Sequence, residues 1–179
     1  MDSPYTYTKE EDADGIGYSF YNETSTYAVQ LVNEMYEGYL DAYPTLLKEG
    51  YELSVFSKEY VDDKLAIKDP NVSQTIFKII EDHIRIKGKK TVLLYQCDTK
   101  DNREQIRHRM FEIWYKNSTF NDTIIKESVE VQIPQPDGTF KVNYIGFMTS
   151  IDNPDIEQVK QEFSSFCYVI PTLKQNRVE

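Results

Sequence analysis

The stretch TVLLYQCDTKDNREQIRHRMFEIW, residues 91–114, decides the fold of this chain. It opens with an apolar run that has the length of a buried strand and ends at Cys97-Asp98. An arginine-rich segment with helical spacing follows, and Asp101 with Glu104 forms a capping-box pattern at its start. Because a strand that leads directly into a helix must bury one face of each, the stretch predicts a sheet covered by helices.

The arginines of this helix are its most unusual feature. At about 100° per residue, Arg103 and Arg107 fall at the centre of an otherwise apolar arc. The other members of the arc are Ile106, Met110, Phe111, Ile113 and Trp114. A buried guanidinium needs an acceptor, and Asp98 and Asp101 are close in sequence. We therefore expect an ion pair that joins the strand to the helix. An anion or substrate-carboxylate site and a protein contact are the two alternatives for these four residues.

The rest of the chain divides into strands first and helices later. Strands are predicted at residues 5–7, 16–21, 27–32 and 51–56, with an irregular or short helical connection over 33–50. Then come a helix over 69–88, a strand at 91–95, the arginine helix to about 116, a hairpin over 129–144 and a helix from 154. A final strand is expected at 167–170, and residues 175–179 are expected to fray.

This order predicts an α+β fold in one domain, residues 1–179. The sheet is single and mostly antiparallel, with N-terminal strands, then β-α-β-α-β-β and a C-terminal helix.

Composition limits the classes of function. The formal net charge is −10, which disfavours nucleic-acid binding, and the chain is rich in tyrosine, with 14 residues. No apolar run has the length of a membrane span, and the N-terminus lacks the pattern of a signal peptide. Cys97 and Cys167 lie in apolar runs without metal or disulfide spacing, so we expect reduced thiols in a cytoplasmic protein. The sequence leaves the oligomeric state open.

No catalytic or cofactor motif is present. Phosphate-binding, dinucleotide-binding and nucleophile-elbow patterns are missing, and the acidic run at residues 10–15 lacks the glutamate that would complete a calcium loop. The two histidines, His83 and His108, are too few for a metal site on their own, and His83 shares the apolar face of its helix. Carboxylates near Cys97 disfavour a reactive thiolate. The sequence thus predicts no catalytic residue, no metal and no cofactor.

Part of the chain resembles a family of short bacterial proteins of unknown function found in Bacteroides-type genomes. The resemblance rests on Thr75-Ile76 and Ile79-Ile80 in a helix, a strand that ends in Cys97-Asp98, and Asp101 with the spaced arginines, Phe111 and Trp114. It covers about 50 residues. The family implies no activity.

The order of elements is also similar to that of GNAT-type N-acetyltransferases. The resemblance implies an acetyl-CoA pyrophosphate held on a glycine-rich turn before the first helix. The corresponding stretch here, residues 66–71, has no glycine and contains Pro70, so it lacks the free backbone N–H groups of such a cradle. The sequence therefore favours a non-catalytic binding or protein-interaction module with a protein partner. The alternative is an unconventional GNAT-like acyltransferase or an enzyme that binds a small anionic metabolite.

Overall fold

The computed structural model describes residues 3–33, 38–59, 69–97 and 99–175, without the side chains of residues 59 and 172–175. The strands are β1 (Thr8–Glu11), β2 (Ile16–Tyr21), β3 (Ser25–Val32), β4 (Gly50–Glu59), β5 (Val92–Gln96), β6 (Ile124–Pro134) and β7 (Phe140–Ser150). The helices are α1 (Pro44–Glu49), α2 (Pro70–Lys87), α3 (Glu104–Asn117) and α4 (Ile156–Gln175), with a 3-10 turn at Thr119–Asp122.

The strands form one seven-stranded sheet in the order β1-β2-β3-β4-β5-β7-β6. Only β4 and β5 run parallel, because the crossover helix α2 connects them, whereas the other neighbours pair antiparallel. Helices α2 and α3 cover one face of the sheet, and α1 and α4 cover the other, so each face has its own apolar core. The α+β class and the mostly antiparallel sheet expected from the sequence are confirmed.

Two predicted elements are wrong. Residues 5–7 form no strand, because Tyr5 and Tyr7 donate hydrogen bonds to Thr75 and Asp82 of α2, and the first strand lies instead at Thr8–Glu11.

Residues 167–170 form no strand either, because α4 continues through them to Gln175. Val159, Phe163, Phe166 and Ile170 repeat at helical spacing and lie on the buried face of α4. The β-rich composition of the segment is overridden by this packing.

No helix within the described ranges has both the length and the apolar character needed to cross a membrane.

The two central strands separate soon after they meet. β4 and β5 pair only from Gly50 with Val92 to Glu52 with Leu94. Beyond that point β4 stays with β3 as far as Glu59, and β5 stays with β7. Since each strand follows its antiparallel neighbour, a fork opens in the middle of the sheet.

Tyr95 shows why β5 follows β7. Its cross-strand partner is Gly146, and the Tyr95 ring lies directly over that glycine. A Cβ atom at position 146 would overlap the ring, so only glycine leaves room for it. The ring also packs edge-on against Phe111 of α3, with centroids 5.1 Å apart. Tyr95 therefore ties β5, β7 and α3 together.

We expect Gly146→Ala to destabilise the fold by about 1–3 kcal/mol, the usual cost of overpacking a filled site. Urea unfolding measures the change. Gly17→Ala is the matched control, because a Cβ atom at that strand glycine meets no atom within 4 Å. The double variant Gly146→Ala/Tyr95→Leu should recover part of the loss. Equal effects of Gly146→Ala and Gly17→Ala would contradict the packing argument.

His83 is a fully buried base in α2, as its place on the apolar face predicts. Its Nδ1 atom lies 3.3 Å from the Tyr18 hydroxyl, and the Tyr51 ring meets it edge-on. Burial lowers the pKa of His83 to about 4, with Lys87 and Lys9 acting in the same direction and Glu11 against it. The imidazole is therefore neutral in the folded protein at neutral pH.

This histidine makes folding stability depend on pH. Its pKa is about 4 when folded and about 6.5 when unfolded, so the unfolded chain binds the extra proton between these values. The contribution of His83, on the order of 3 kcal/mol, is complete above about pH 6.5 and is lost as pH falls toward 4. Urea titrations across this window measure the free energy of unfolding at each pH. Its slope against pH should be flatter for His83→Gln than for His108→Gln. Identical slopes in the two variants would show that His83 is not the titrating group.

Candidate functional site

The fork between β4 and β5 encloses a cavity of about 410 Å³. Ligand sites in proteins are typically a few hundred to a thousand cubic ångströms, so this volume suits a small molecule. Apolar and aromatic side chains form most of its described wall, among them Leu53, Val55, Phe56, Phe111 and Trp114. Phe56 is 53% exposed, which is unusual for a phenylalanine on a central strand. We call this cavity the fork cleft.

A few polar groups interrupt the apolar wall. Ser54 and Ser57 lie on the β4 side, and Gln96 and Cys97 lie on the β5 side. Burial raises the pKa of the Cys97 thiol to about 11, although Lys126 and Arg107 oppose the shift. Because a nucleophilic cysteine must be a thiolate, Cys97 is an inert, weakly polar part of the wall.

Arg107 is the only charged side chain among the described residues that line the fork cleft. It donates two hydrogen bonds of 2.6 Å to the two oxygens of Asp101. These hydrogen bonds from Arg107 are the main reason that the pKa of Asp101 falls to about 2. Both side chains are partly exposed, so the pair lies at the mouth of the cleft and not in the core. It joins α3 to the loop before it.

The structure separates the other two candidate residues from this pair. Arg103 is exposed and occupies the N-cap position of α3, so its predicted inward direction is wrong. The prediction that Asp101 caps the helix is wrong, because Arg103 occupies the N-cap position. The Asp101 Oδ1 atom nevertheless accepts a hydrogen bond of 3.2 Å from the Arg103 backbone N–H. Asp98 lies outside the described residues. Of the four, the structure brings Asp101 and Arg107 together.

The error comes from the rotation of α3 about its axis. Three rings, those of Phe111, Trp114 and Tyr115, pack against the core, whereas Ile106 is 66% exposed and Ile113 is 50% exposed. The helix is therefore turned by about a quarter of a turn from the predicted arc. The reason is that Phe111 stacks on Phe77 of α2, with centroids 5.6 Å apart. The prediction from sequence spacing gave the isoleucines and the aromatic rings equal importance. In the structure the rings determine which face of α3 packs against the core.

Glu52 was not recognised from the sequence as a candidate. It is the last residue of β4 that pairs with β5, so it stands at the point where the strands separate. The side chain is half-buried, and burial raises the pKa of its carboxyl group. Glu52 does not line the fork cleft: its cross-strand partner Leu94 belongs to the core on the α4 face, so the Glu52 side chain lies on the opposite face of the sheet from Phe111 and Trp114. Nothing in the local sequence marks it, because strand divergence is a long-range property.

The N-terminus of α2 lies near the cleft and is already capped. The Asp69 carboxylate accepts a hydrogen bond of 3.0 Å from the backbone N–H of Asn71, and its carbonyl accepts one of 3.2 Å from Val72. Pro70 has no N–H to offer. Tyr5 and Asn22 donate to the same carboxylate, each at 2.8 Å. An external anion would therefore meet a negative charge and occupied donors here.

A buried ion pair lies behind the cleft, between β6 and α3. The Lys126 side chain is 1% exposed, and its ammonium group donates to Glu112 beneath the rings of Tyr95, Phe111 and Tyr115. Burial lowers the pKa of Lys126, although the Glu112 carboxylate opposes the shift. Ser128 donates a second hydrogen bond of 3.0 Å to Glu112. The pair holds α3 over the sheet.

Removing one charge from this pair leaves the other unpaired. We expect Glu112→Gln to cost about 3 kcal/mol, because Lys126 stays buried without its counter-ion. Lys126→Met should cost less, since Glu112 is partly exposed and can be hydrated. Denaturant unfolding compares the two. Glu127→Gln, which breaks the exposed pair with Lys160 on the other face, is the control and should change little. A larger loss in Lys126→Met than in Glu112→Gln would contradict this assignment.

A second, more open groove of about 870 Å³ lies beside the N-terminal segment. Its polar groups are already paired with one another: Tyr5 and Asn22 with Asp69, and Thr8 with Ser19 at 2.8 Å. It has no buried polar group directed at a ligand among these contacts. The fork cleft is the better candidate.

The family profile of DUF6169, a family of unknown function, matches residues 68–165, which is more than half of the chain. The chain belongs to this family. The matched region contains α2, β5 and α3, and therefore one side of the fork cleft. The resemblance to a family of unknown function, inferred from residues 75–114, is thus confirmed, and the family supplies no activity. A comparison of the chain with curated proteins finds no match. No cluster of three metal-ligating side chains occurs among the described residues.

Proposed function

We propose that this protein is a binding module that holds a small, elongated ligand in the fork cleft. The divergence of β4 from β5 after Glu52 and Leu94 carries the proposal. It leaves an opening at the carboxyl ends of two parallel strands, which is where open α/β sheets place their ligands. The volume, the aromatic wall and the few polar groups support the same conclusion.

The cleft favours a particular ligand chemistry. Beyond Glu52, the edge of β4 that faces β5 is no longer part of a ladder with that strand. A chain that carries amide groups can pair with such an edge as an added strand would. The aromatic wall favours an apolar chain, and a negative group at one end would bind Arg107 at the mouth in exchange for the hydrogen bonds of Asp101. Coenzyme A thioesters combine an amide-bearing arm with a phosphorylated end, so they are the first ligands to test.

The geometry supports binding over catalysis. Cys97 is a protonated thiol at neutral pH, with a pKa of about 11. The N-terminus of α2 is capped by Asp69 and begins with Pro70, so it does not supply the phosphate cradle that the acetyltransferase resemblance implies. A phosphorylated ligand would have to place its charge elsewhere, and Arg107 is the nearest described candidate.

Acyl transfer is the second candidate. Glu52 has a carboxyl group whose pKa burial raises, and it stands at the apex of the fork with its side chain on the α4 face of the sheet. To accept a proton from an amine that attacks a thioester in the cleft, it would have to act through the gap between β4 and β5. Thiol release from acetyl-CoA in the presence of amines, lost in Glu52→Gln while binding is retained, would establish catalysis.

A ligand screen by thermal unfolding tests the proposal. We expect acetyl-CoA or coenzyme A to stabilise the folded protein, whereas mononucleotides and dicarboxylates have little effect. At a ligand concentration about 100 times Kd, stabilisation reaches about 2.7 kcal/mol. Ser57→Trp should abolish it, because Ser57 is the cross-strand partner of Tyr27 on the cleft side of the sheet and the indole fills the cleft. Ser165→Trp, at an exposed position of α4 on the other face, is the control.

Two outcomes would contradict the proposal. Stabilisation that persists unchanged in Ser57→Trp would place the site elsewhere. If every anion tested stabilised the protein, with or without an amide-bearing arm, the stabilisation would come from the charge of Arg107 and not from binding in the cleft.

The proposal includes a cytoplasmic location. Cys97 and Cys167 are both free and buried, which supports a reducing compartment. Fractionation of the source cells with an antibody tests this point.

A further inference from the structure

The solvent face of α3 carries an apolar stripe bordered by positive charge. Ile106, Met110 and Ile113 follow one another at intervals of four and three residues, so they form a line almost parallel to the helix axis. Two of them are at least half exposed, Ile106 at 66% and Ile113 at 50%. Exposed isoleucines aligned in this way need an explanation that packing within the molecule does not supply.

Basic residues lie on both sides of this stripe. At 100° per residue, Arg109 and Lys116 border it on one side and Arg103 on the other. All three are exposed, and none of them forms an ion pair with another described residue. Of the acidic residues of α3, Glu104 lies on the opposite side of the helix, whereas Glu112 lines the groove beside Arg109 and Lys116 and is paired with Lys126. We call the stripe and its three basic borders the α3 face.

The charge of the α3 face contrasts with the rest of the molecule. The chain carries 30 acidic and 20 basic residues, whereas α3 exposes three basic residues here and its nearby carboxylate, Glu112, is paired with Lys126. Charges interact over about 8 Å at physiological ionic strength, so a short partner segment feels the local positive charge and not the net charge of −10. A large anionic surface, in contrast, would also contact the acidic residues outside this face and be repelled by them.

We infer that the α3 face is a docking surface for a helical segment of a partner protein that has apolar side chains on one face and acidic side chains on both sides of them. The stripe has the spacing of a helix–helix seam, which selects a helix over a strand. The basic borders select acidic flanks. This surface adjoins the fork cleft at Met110, which also lines the cleft, whereas Ile106, Ile113 and the three basic residues do not line it.

Two other occupants are disfavoured by the same features. In a symmetric dimer through α3, basic borders would face basic borders, and like charges at an interface oppose association. A membrane or nucleic acid presents a broad anionic surface, and three exposed cations on a chain of net charge −10 are few for such a partner. A short acidic helix matches both the apolar and the charged parts.

A groove beside the stripe provides a place for an anchoring side chain. It has a volume of about 380 Å³ and runs between α3 and β7, and Arg109, Ile113 and Lys116 line it together with the polar residues Gln105 and Glu112. His108 stacks on Tyr144 in its wall, with ring centroids 4.3 Å apart. A large apolar side chain at the centre of the partner helix fits this groove, and such buried anchors contribute most to binding.

The test uses a fluorescent helical peptide with leucines on one face and glutamates on both sides of that face. We expect saturable binding by fluorescence anisotropy that weakens as salt is added. The double variants Arg109→Glu/Lys116→Glu and Ile106→Ser/Ile113→Ser should each weaken binding about tenfold or more. Lys89→Glu and Ile86→Ser are the matched controls, because they change an exposed lysine and an isoleucine of 60% exposure elsewhere. All variants should melt at the wild-type temperature, since the changed side chains are exposed.

Several results would overturn the inference. They are failure of the wild-type protein to bind the peptide, equal binding by the α3 variants and the controls, and equal binding of a peptide with lysines in place of the glutamates. Binding to phosphatidylserine vesicles that is lost in Arg109→Glu/Lys116→Glu would assign the face to membranes. Self-association that is lost in Ile106→Ser/Ile113→Ser would assign it to a second copy of the chain.

Discussion

The separation of β4 from β5 is the constraint on which the rest of the molecule depends. The parallel ladder ends at Glu52 and Leu94, while the antiparallel ladders on either side continue. Two long antiparallel pairings outweigh one short parallel pairing, which is also the less stable type per residue. Sheet twist then carries the two strands apart, and the fork cleft is the space that results. Tyr95 over Gly146 secures one side of this division.

The helices pack more tightly on one face of the sheet than on the other. On the α4 face, buried polar groups are closely paired: Glu162 accepts hydrogen bonds of 3.0 Å from the backbone of Thr45 and Leu46 at the start of α1. Asn153 donates to Thr149, which donates to the Thr91 carbonyl. On the other face, α3 has no fully buried residue and is held by three rings and the Lys126–Glu112 pair. The loosely packed helix is therefore the one that borders the cleft and exposes the α3 face.

The sequence predicted those features that depend on local chemistry. Asp69 before Pro70 marked the start of α2, and Asp137-Gly138 marked the turn of the β6–β7 hairpin. Alternation or apolar runs located the strands, and the class of fold followed from their order. These signals work because a cap, a turn or an alternating strand involves residues close together in the chain.

The features that the sequence did not predict depend on distant contacts. The rotation of α3 is set by Phe111 stacking on Phe77, which is 34 positions earlier in the chain. The extension of α4 through residue 170 is set by packing against the sheet, and the importance of Glu52 is set by where β5 leaves β4. The sequence predicted that an arginine of α3 would pair with an acid at the end of β5 and join the strand to the helix, whereas the observed pair, Arg107 with Asp101, joins the helix to the loop before it at the mouth of the cleft.

Asp69 and Glu52 limit what the fork cleft can do, one by its hydrogen bonds and the other by the face on which it lies. Asp69 satisfies the donors at the N-terminus of α2 with a carboxylate of the chain itself, which disfavours a phosphate there. Glu52 has a carboxyl group of raised pKa at the apex of the fork, but its partner Leu94 belongs to the core on the α4 face, so its side chain lies away from the rings of the cleft. Arg107, the one cation among the described residues of the cleft wall, is paired with Asp101. A phosphorylated ligand would therefore have to displace a carboxylate from its partner, and proton transfer in the cleft would need an acceptor other than Glu52.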